Sequence, residues 1–318
     1  MEVQKQLMDG PSPRKEELTY DALQSVIDVS RPYYALENEG AIKVGDETIG
    51  FVAEVDPEMP ISYEAGDMGY CETARHMAIA GSVAAALANP KQAKHYYLAL
   101  NGWMRRNEVL PSSIQEEVDK VLPFTGKPRI FSYATDINKR EATSETFLFT
   151  GDKNDDVIRM NVNYKIIPAP IFSRFFPDVD GIDKSMLGPW TPAKNNPYTD
   201  PIDIQISSSN VIDHDSIAYN AKIPTVCPSK CFGHFDSSPC LPVAFLIGHL
   251  IDAGMQSAAL LCKENGEYLE PMIGRDVFLD ASALVQVSTN KVLYSVLLFC
   301  YEFTNTFLLE NPGWNTRP

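Results

Sequence analysis

Cysteine is scarce and scattered: six in 318 residues, at positions 71, 227, 231, 240, 262 and 300. That is not the dense framework of a small secreted domain, so reduced thiols are expected. Cys227 and Cys231 of "CPSKC" form the one close pair, but no second pair or suitably placed histidine accompanies them, and no metal site is expected. Positive charge is also short. With 27 Lys and Arg against 42 Asp and Glu, the formal charge is −15, and the only basic break is the short "MRRN" around Arg105 and Arg106. Such a surface repels phosphate backbones and argues against nucleic acid binding. No apolar run approaches the ~18–20 residues of a membrane span. The opening "MEVQKQLMDGPSPRKEEL" has no apolar stretch after its charges, so residues 1–28 read as a flexible arm and not a secretion signal; a cytoplasmic address is the default expectation.

What is present is a soluble globular composition, 44% hydrophobic and 22% charged, in a chain long enough for two ordinary domains or one large one. The segment "SYEAGDMGYCETARHMAIAGSVAAALANP" (62–90) changes character halfway, from a polar, glycine-marked loop to an Ala-rich, almost uncharged stretch that predicts a helix over 71–88. "HMAIAG" at 76–81 recurs as "HLIDAG" at 249–254, inside a second apolar helical stretch predicted over 242–262. Each copy follows a loop with Gly, Asp and an aromatic, "ISYEAGDMG" and "CFGHFDSSP". Each precedes a turn and strand-like alternation, "HYYLALNGWM" and "VFLDASALVQV". "RIFSYATDI", "ETFLFTGD" and "VIRMNVNYKII" add strands to the first half, and "KVLYSVLLFCYEFT" adds one to the second.

A helix apolar on every side must be buried all round, and an antiparallel sheet curling about it achieves that. The expected fold is therefore α+β, a double hot dog with two long buried helices, each wrapped by antiparallel sheet. The first unit is placed at 29–187 and the second at 202–318, joined through "GPWTPAKNNPYTDP" at 188–201.

In that fold the N-terminus of the buried helix aims unpaired N–H groups and a positive dipole end toward a cleft, where a thioester carbonyl would find support for a developing oxyanion. Aligning the two repeats sets His234 opposite Ile61 and Asp236 opposite Tyr63. "GHFDSSPCLPVAFLIGHLIDAG" is similar to the His-loop-Pro-helix signature of hot-dog dehydratases and thioesterases; the first half departs from it, with Ile61 and Tyr63 where a dehydratase would put its histidine. Taken with the second unit, "MPISYEAGDMGYCETARHMAIAGS" resembles the bifunctional acyltransferase/decarboxylase family of leinamycin-type polyketide biosynthesis, from about Val29 to the C-terminus.

The resemblance implies a loading enzyme. Methylmalonyl passes from its coenzyme A thioester to a tyrosine oxygen and loses carbon dioxide, and the propionyl group goes to the phosphopantetheine thiol of an acyl carrier protein. Tyr63 matches the family tyrosine; Tyr70, one turn into the helix where packing is the default, is the reserve. Gly69 and Tyr70 are the expected substrate-binding positions, and His234 is an acid/base or carbonyl hydrogen-bond donor. Asn210 in "SSSNVID", after the strand "IDIQI", is a further donor to the thioester oxygen or simply a turn former. A phenol with pKa near ~10 is only about one part in a thousand ionised at neutral pH, so it needs the helix dipole; in return it leaves far more readily than an alkoxide. No step demands a metal or an organic cofactor.

Two other readings stand beside this one: a dehydratase or thioesterase using His234 with a carboxylate such as Glu72, and a catalytically silent acyl-binding module. His76 and His249, inside the helices, read as core histidines, and Glu72 and Asp67 as charges serving the helix start. An acidic carrier protein would need a local basic patch; Arg14 with Lys15, Arg105 with Arg106, and Lys91 with Lys94 are the candidates. A homodimer is expected because hot-dog sheets commonly pair edge to edge.

Overall fold

A computed structural model describes residues 15–19, 23, 26–44, 48–57, 68–90, 94–149, 157–175, 205–213, 216–222, 233–235, 242, 256, 259–260, 263, 276–280, 284–289 and 292–297. In chain order the strands are β1 (Lys15–Glu17), β2 (Leu36–Val44), β3 (Thr48–Val55), β4 (His95–Glu108), β5 (Arg129–Ile137), β6 (Glu141–Phe149), β7 (Val157–Pro168), β8 (Gln205–Asp213), β9 (Ser216–Lys222), β10 (Asp276–Asp280), β11 (Leu284–Thr289) and β12 (Val292–Leu297). The helices are α1 (Tyr70–Ala88), α2 (Ser112–Val121) and α3 (Ala169–Phe175).

Eight of these strands form one sheet in the order β1-β2-β3-β5-β6-β7-β4-β10, antiparallel at every pairing. β3 and β4 thus run in the same direction with three strands between them. Their connection must cross the sheet, and α1 is that crossover. Alternation along the strands sends Phe51, Ala53, Ile130, Leu148, Ile158 and Met160 toward α1, where they pack with Met77, Ala80, Val83 and Ala84. The opposite face carries Val52, Phe131, Phe147 and Val157, and α2 covers them with Ile114 and Val118. Each of the Val, Leu, Ile, Phe and Met side chains contributes roughly 1.5–3 kcal/mol by leaving water, and each alanine methyl less. One long helix across an antiparallel sheet is a hot-dog-like arrangement.

From Glu72 to Ala88 no residue of α1 is exposed, the all-round burial that its Ala-rich composition predicts. Alanine favours the helix, Glu72 complements the dipole in the first turn, and the helix stops at Asn89 because Pro90 cannot continue it. Close approach to the sheet requires Gly81. A Cβ there would lie 2.4 Å from both Ser144 Oγ and the Tyr164 hydroxyl, which donates to the Ala78 carbonyl at 2.9 Å.

The sequence reading needs several adjustments. The stretch taken as an N-terminal arm supplies β1, paired with β2, and puts Leu23 and Ile27 in the core. β6 begins at Glu141, ahead of the expected "ETFLFTGD", and "VFLDASALVQV" holds parts of two strands, β10 and β11. The hairpin β2–β3 and helix α2 were not expected; the outward glutamates Glu37 and Glu39 obscure the alternation of β2. Of the second predicted helix, residues 256, 259 and 260 are described as helical, as is 263 just past its end, whereas residue 242 at its start is described and is not helical; the linker at 188–201 lies outside the described residues. Among the described residues no helix is long and apolar enough to cross a membrane.

Candidate active site

Gly69 is the N-cap of α1, with extended backbone (φ −74°, ψ 167°) and its carbonyl accepting from the Thr73 amide at 2.9 Å. Glycine brings no side chain to cap the first-turn N–H groups. Just before it, the Met68 carbonyl accepts from Arg106 of β4 at 3.3 Å, which ties the approach to α1 to the sheet. Tyr70 opens the helix and does not lie a turn inside it, because Gly69 is the last extended residue.

The first two turns of this otherwise apolar helix carry Glu72, Arg75 and His76, which are 6%, 1% and 0% exposed. Arg75 donates to His76 Nε2 at 3.2 Å, and Glu72 Oε1 is 3.7 Å from the same nitrogen. A guanidinium can only donate, so Nε2 is the acceptor and the ring proton of neutral His76 falls to Nδ1. Burial, reinforced by the positive charge of Arg75, holds the His76 pKa well below its ordinary value and keeps the ring neutral. Its expected place as a buried core histidine holds. Burying ionisable groups in a helix that alanine could fill is costly, and such groups concentrate at working sites.

The second half of the chain reaches this region through residues 233–235. His234 forms an isolated antiparallel bridge with Val29, the Ser30 amide donates to the Gly233 carbonyl at 2.7 Å, and the Phe235 amide donates to the Asp28 carbonyl at 3.2 Å. Phe235 is buried edge-on against the stacked rings of Tyr96 and Phe172, whose centroids are 3.7 Å from each other and 5.2 and 5.3 Å from its own. Asp28, Gly233 and Phe235 all have positive φ, so the two segments turn sharply about each other, and Lys94 holds Asp28 through an ion pair of 2.5 Å. The half-buried His234 ring consequently lies against Phe235 at 4.2 Å and Tyr33 at 4.7 Å. Tyr33 in turn sits under Arg75, whose guanidinium carbon is 5.8 Å from the ring centre. One line of groups therefore joins His234 to α1.

Of the residues singled out from sequence, Gly69 and Tyr70 mark the start of α1, and His234 connects with the second turn through Tyr33. Tyr63 lies outside the described residues. Asn210 is inside β8, paired in register with Ala218, and does not end a strand: the ladder runs from Gln205 through "SSSNVID" to Asp213. Sequence reasoning passed over Arg75 and Tyr33, and it singled out Arg106 as part of a basic patch but not as a tie to the approach to α1. Arg75 left a signal, the one basic residue apart from histidine in the predicted apolar helix; Tyr33 left none. Among the described residues no group of His, Cys, Asp and Glu has the makings of a metal site.

No protein-family model and no curated protein matches the chain. Solved structures overlap it weakly. A thioesterase of Haemophilus influenzae is 12% identical with a TM-score of 0.28, covering 48% of this chain and 94% of its own. A mutant thioesterase of Pseudomonas aeruginosa is 14% identical at 0.27, covering 41% and 81%. A candidate thioesterase of Novosphingobium aromaticivorans is 12% identical at 0.37, covering 82% and 88%. These are likenesses of fold at low overlap, and the functional reading below stands on the geometry of the chain itself.

Proposed function

We propose that the chain is an acyl-thioester enzyme with its cleft at the start of α1, built as a double hot dog. Two observations support the duplicated architecture. β10, the first strand after the second predicted helix, pairs edge to edge with β4, the first strand after α1, and residues 233–235 are built into the core of the first unit. The observation that carries the functional reading is the buried Glu72, Arg75 and His76 in the first two turns of an apolar helix, reached by His234 through Tyr33.

The finer chemistry is that of a decarboxylating acyltransferase, with the family resemblance as its ground. The Tyr63 oxygen attacks the thioester carbonyl of (methyl)malonyl-coenzyme A, the C–S bond breaks, and coenzyme A leaves as the thiol. The first-turn N–H groups after Gly69 receive the oxyanion. The C–CO2 bond then breaks with its electron pair passing into an enolate held by the same donors. A proton from solvent at the α-carbon yields the propionyl ester, with His234 as a hydrogen-bond donor to the carbonyl oxygen. The thiol of a carrier protein's phosphopantetheine takes the acyl group and returns the phenol. Arg106, which donates to the Met68 carbonyl just before α1, and the exposed Arg105 beside it on β4 are the proposed contact for an acidic carrier.

A second reading has a specific observation in its favour: the residues tied together in the described structure are His234 and the α1 group containing Glu72, the pair a thioesterase or dehydratase would use. Turnover of two variants separates them. Under acyl transfer, Tyr63→Phe abolishes loading of the carrier protein and His234→Ala slows it; under the second reading Tyr63→Phe still turns over acyl thioesters and His234→Ala is the lethal change.

A further inference from the structure

Arg75 is almost completely enclosed and lies over the face of Tyr33, and the His234 ring rests against both Tyr33 and its own neighbour Phe235. The backbone around His234 is pinned by the hydrogen bonds to Asp28 and Ser30, so the placement of Tyr33 bears directly on that of the imidazole. A cation over an aromatic face holds that ring in place and acts on whatever lies beyond it.

We propose that Arg75 is a positioning residue that acts through Tyr33 to fix the orientation and charge state of the His234 imidazole. This rests on the reading of His234 as part of the acyl-thioester site. The electrostatics have a definite sign. Arg75 carries a permanent positive charge, and the two ring contacts set it at most about 10 Å from the imidazole, where a unit charge in a protein interior shifts a titration by about one pH unit. Among the described residues, the other titratable or charged groups on these elements are Glu72 and neutral His76 on α1, Arg31 near Tyr33 in the chain, and the mutually compensating pair Lys94 and Asp28. Removing the guanidinium leaves Glu72 as the dominant charge of α1, and both changes favour the imidazolium. Arg75 thus opposes protonation of the His234 imidazole.

The test is the titration of His234 in the full chain by imidazole NMR, assigned with His234→Gln as the blank. Arg75→Met is expected to raise the His234 midpoint by about one pH unit and to carry the acid limb of the activity profile with it, whereas Arg75→Lys restores the wild-type value. Glu72→Gln, which keeps Arg75, is expected to lower the midpoint, and it decides the matter if Arg75→Met does not fold. An unmoved midpoint in a folded Arg75→Met, or a midpoint that does not fall in Glu72→Gln, overturns the proposal. A shifted midpoint in a protein whose wild type turns over no acyl thioester sinks the functional reading and leaves the coupling intact, so the two failures are told apart.

Discussion

Gly233 and Ser30 touch backbone to backbone: the Ser30 amide donates to the Gly233 carbonyl at 2.7 Å, and a Cβ at Gly233 would fall 2.1 Å from the Ser30 carbonyl oxygen. With φ at +80° as well, no other residue fits there without displacing the contact. Gly233→Ala is expected to destabilise the protein by about 1–3 kcal/mol and to loosen His234, lowering activity by more than the loss of folded protein explains. Chemical denaturation alongside specific activity measures both.

Phe235 anchors the same contact by packing edge-on against the stacked pair Tyr96 and Phe172. Phe235→Ala is expected to cost about 3 kcal/mol or more, since it opens a cavity beside two rings that their own stacking holds in place. Phe235→Leu should recover most of that. Equal stability of all three proteins would show that the second half is not built into the first half's core.

Gly81 inverts the usual helix rule. An exposed Gly→Ala change in a helix gains about 1 kcal/mol, but here the methyl group would meet Ser144 and Tyr164 at 2.4 Å, and a loss of about 1–3 kcal/mol is expected. Tyr164→Phe should relieve part of the strain, so a double-mutant cycle of Gly81→Ala with Tyr164→Phe gives a favourable coupling. Additive effects would place the tight contact elsewhere.

His76 makes stability depend on pH. Its folded pKa is depressed, so below the unfolded value near 6.5 the unfolded chain binds a proton that the folded chain refuses. The contribution is fully present above about pH 6.5 and is lost as pH falls toward the folded pKa, at up to about 1.4 kcal/mol per pH unit. Denaturation midpoints between pH 7 and pH 5 should fall for the wild type and fall less for His76→Gln. Parallel curves would contradict the assignment.

The first unit was legible because its signals were local and repeated. "RIFSYATDI" became β5 from Arg129 to Ile137, and an Ala-rich run with Glu72 at its head and Pro90 beyond its end became α1 almost to the residue. What stayed hidden depended on partners far along the chain. Nothing near Tyr33 announces that it will meet His234, and nothing in the "arm" announces that Lys15–Glu17 will pair with β2, because register across a sheet edge is set by the partner strand. Asn210 was misjudged for a related reason: β8 and β9 form their own hairpin, and pairing carries the strand through serines and an asparagine that propensity alone would assign to a turn. Buried charge at Arg75 was readable as an oddity in composition, but its meaning required the ring it covers.

The proposed chemistry puts the acyl group on the phenolic oxygen of Tyr63, in the segment of the chain that precedes α1. Intact-protein mass measurement after exposure to methylmalonyl-coenzyme A, with the label mapped to a peptide, tests it most directly. The account predicts a covalent gain on the peptide containing Tyr63, absent in Tyr63→Phe and released by mild base as an oxygen ester is. An unchanged mass, or a gain that persists in Tyr63→Phe, would contradict it.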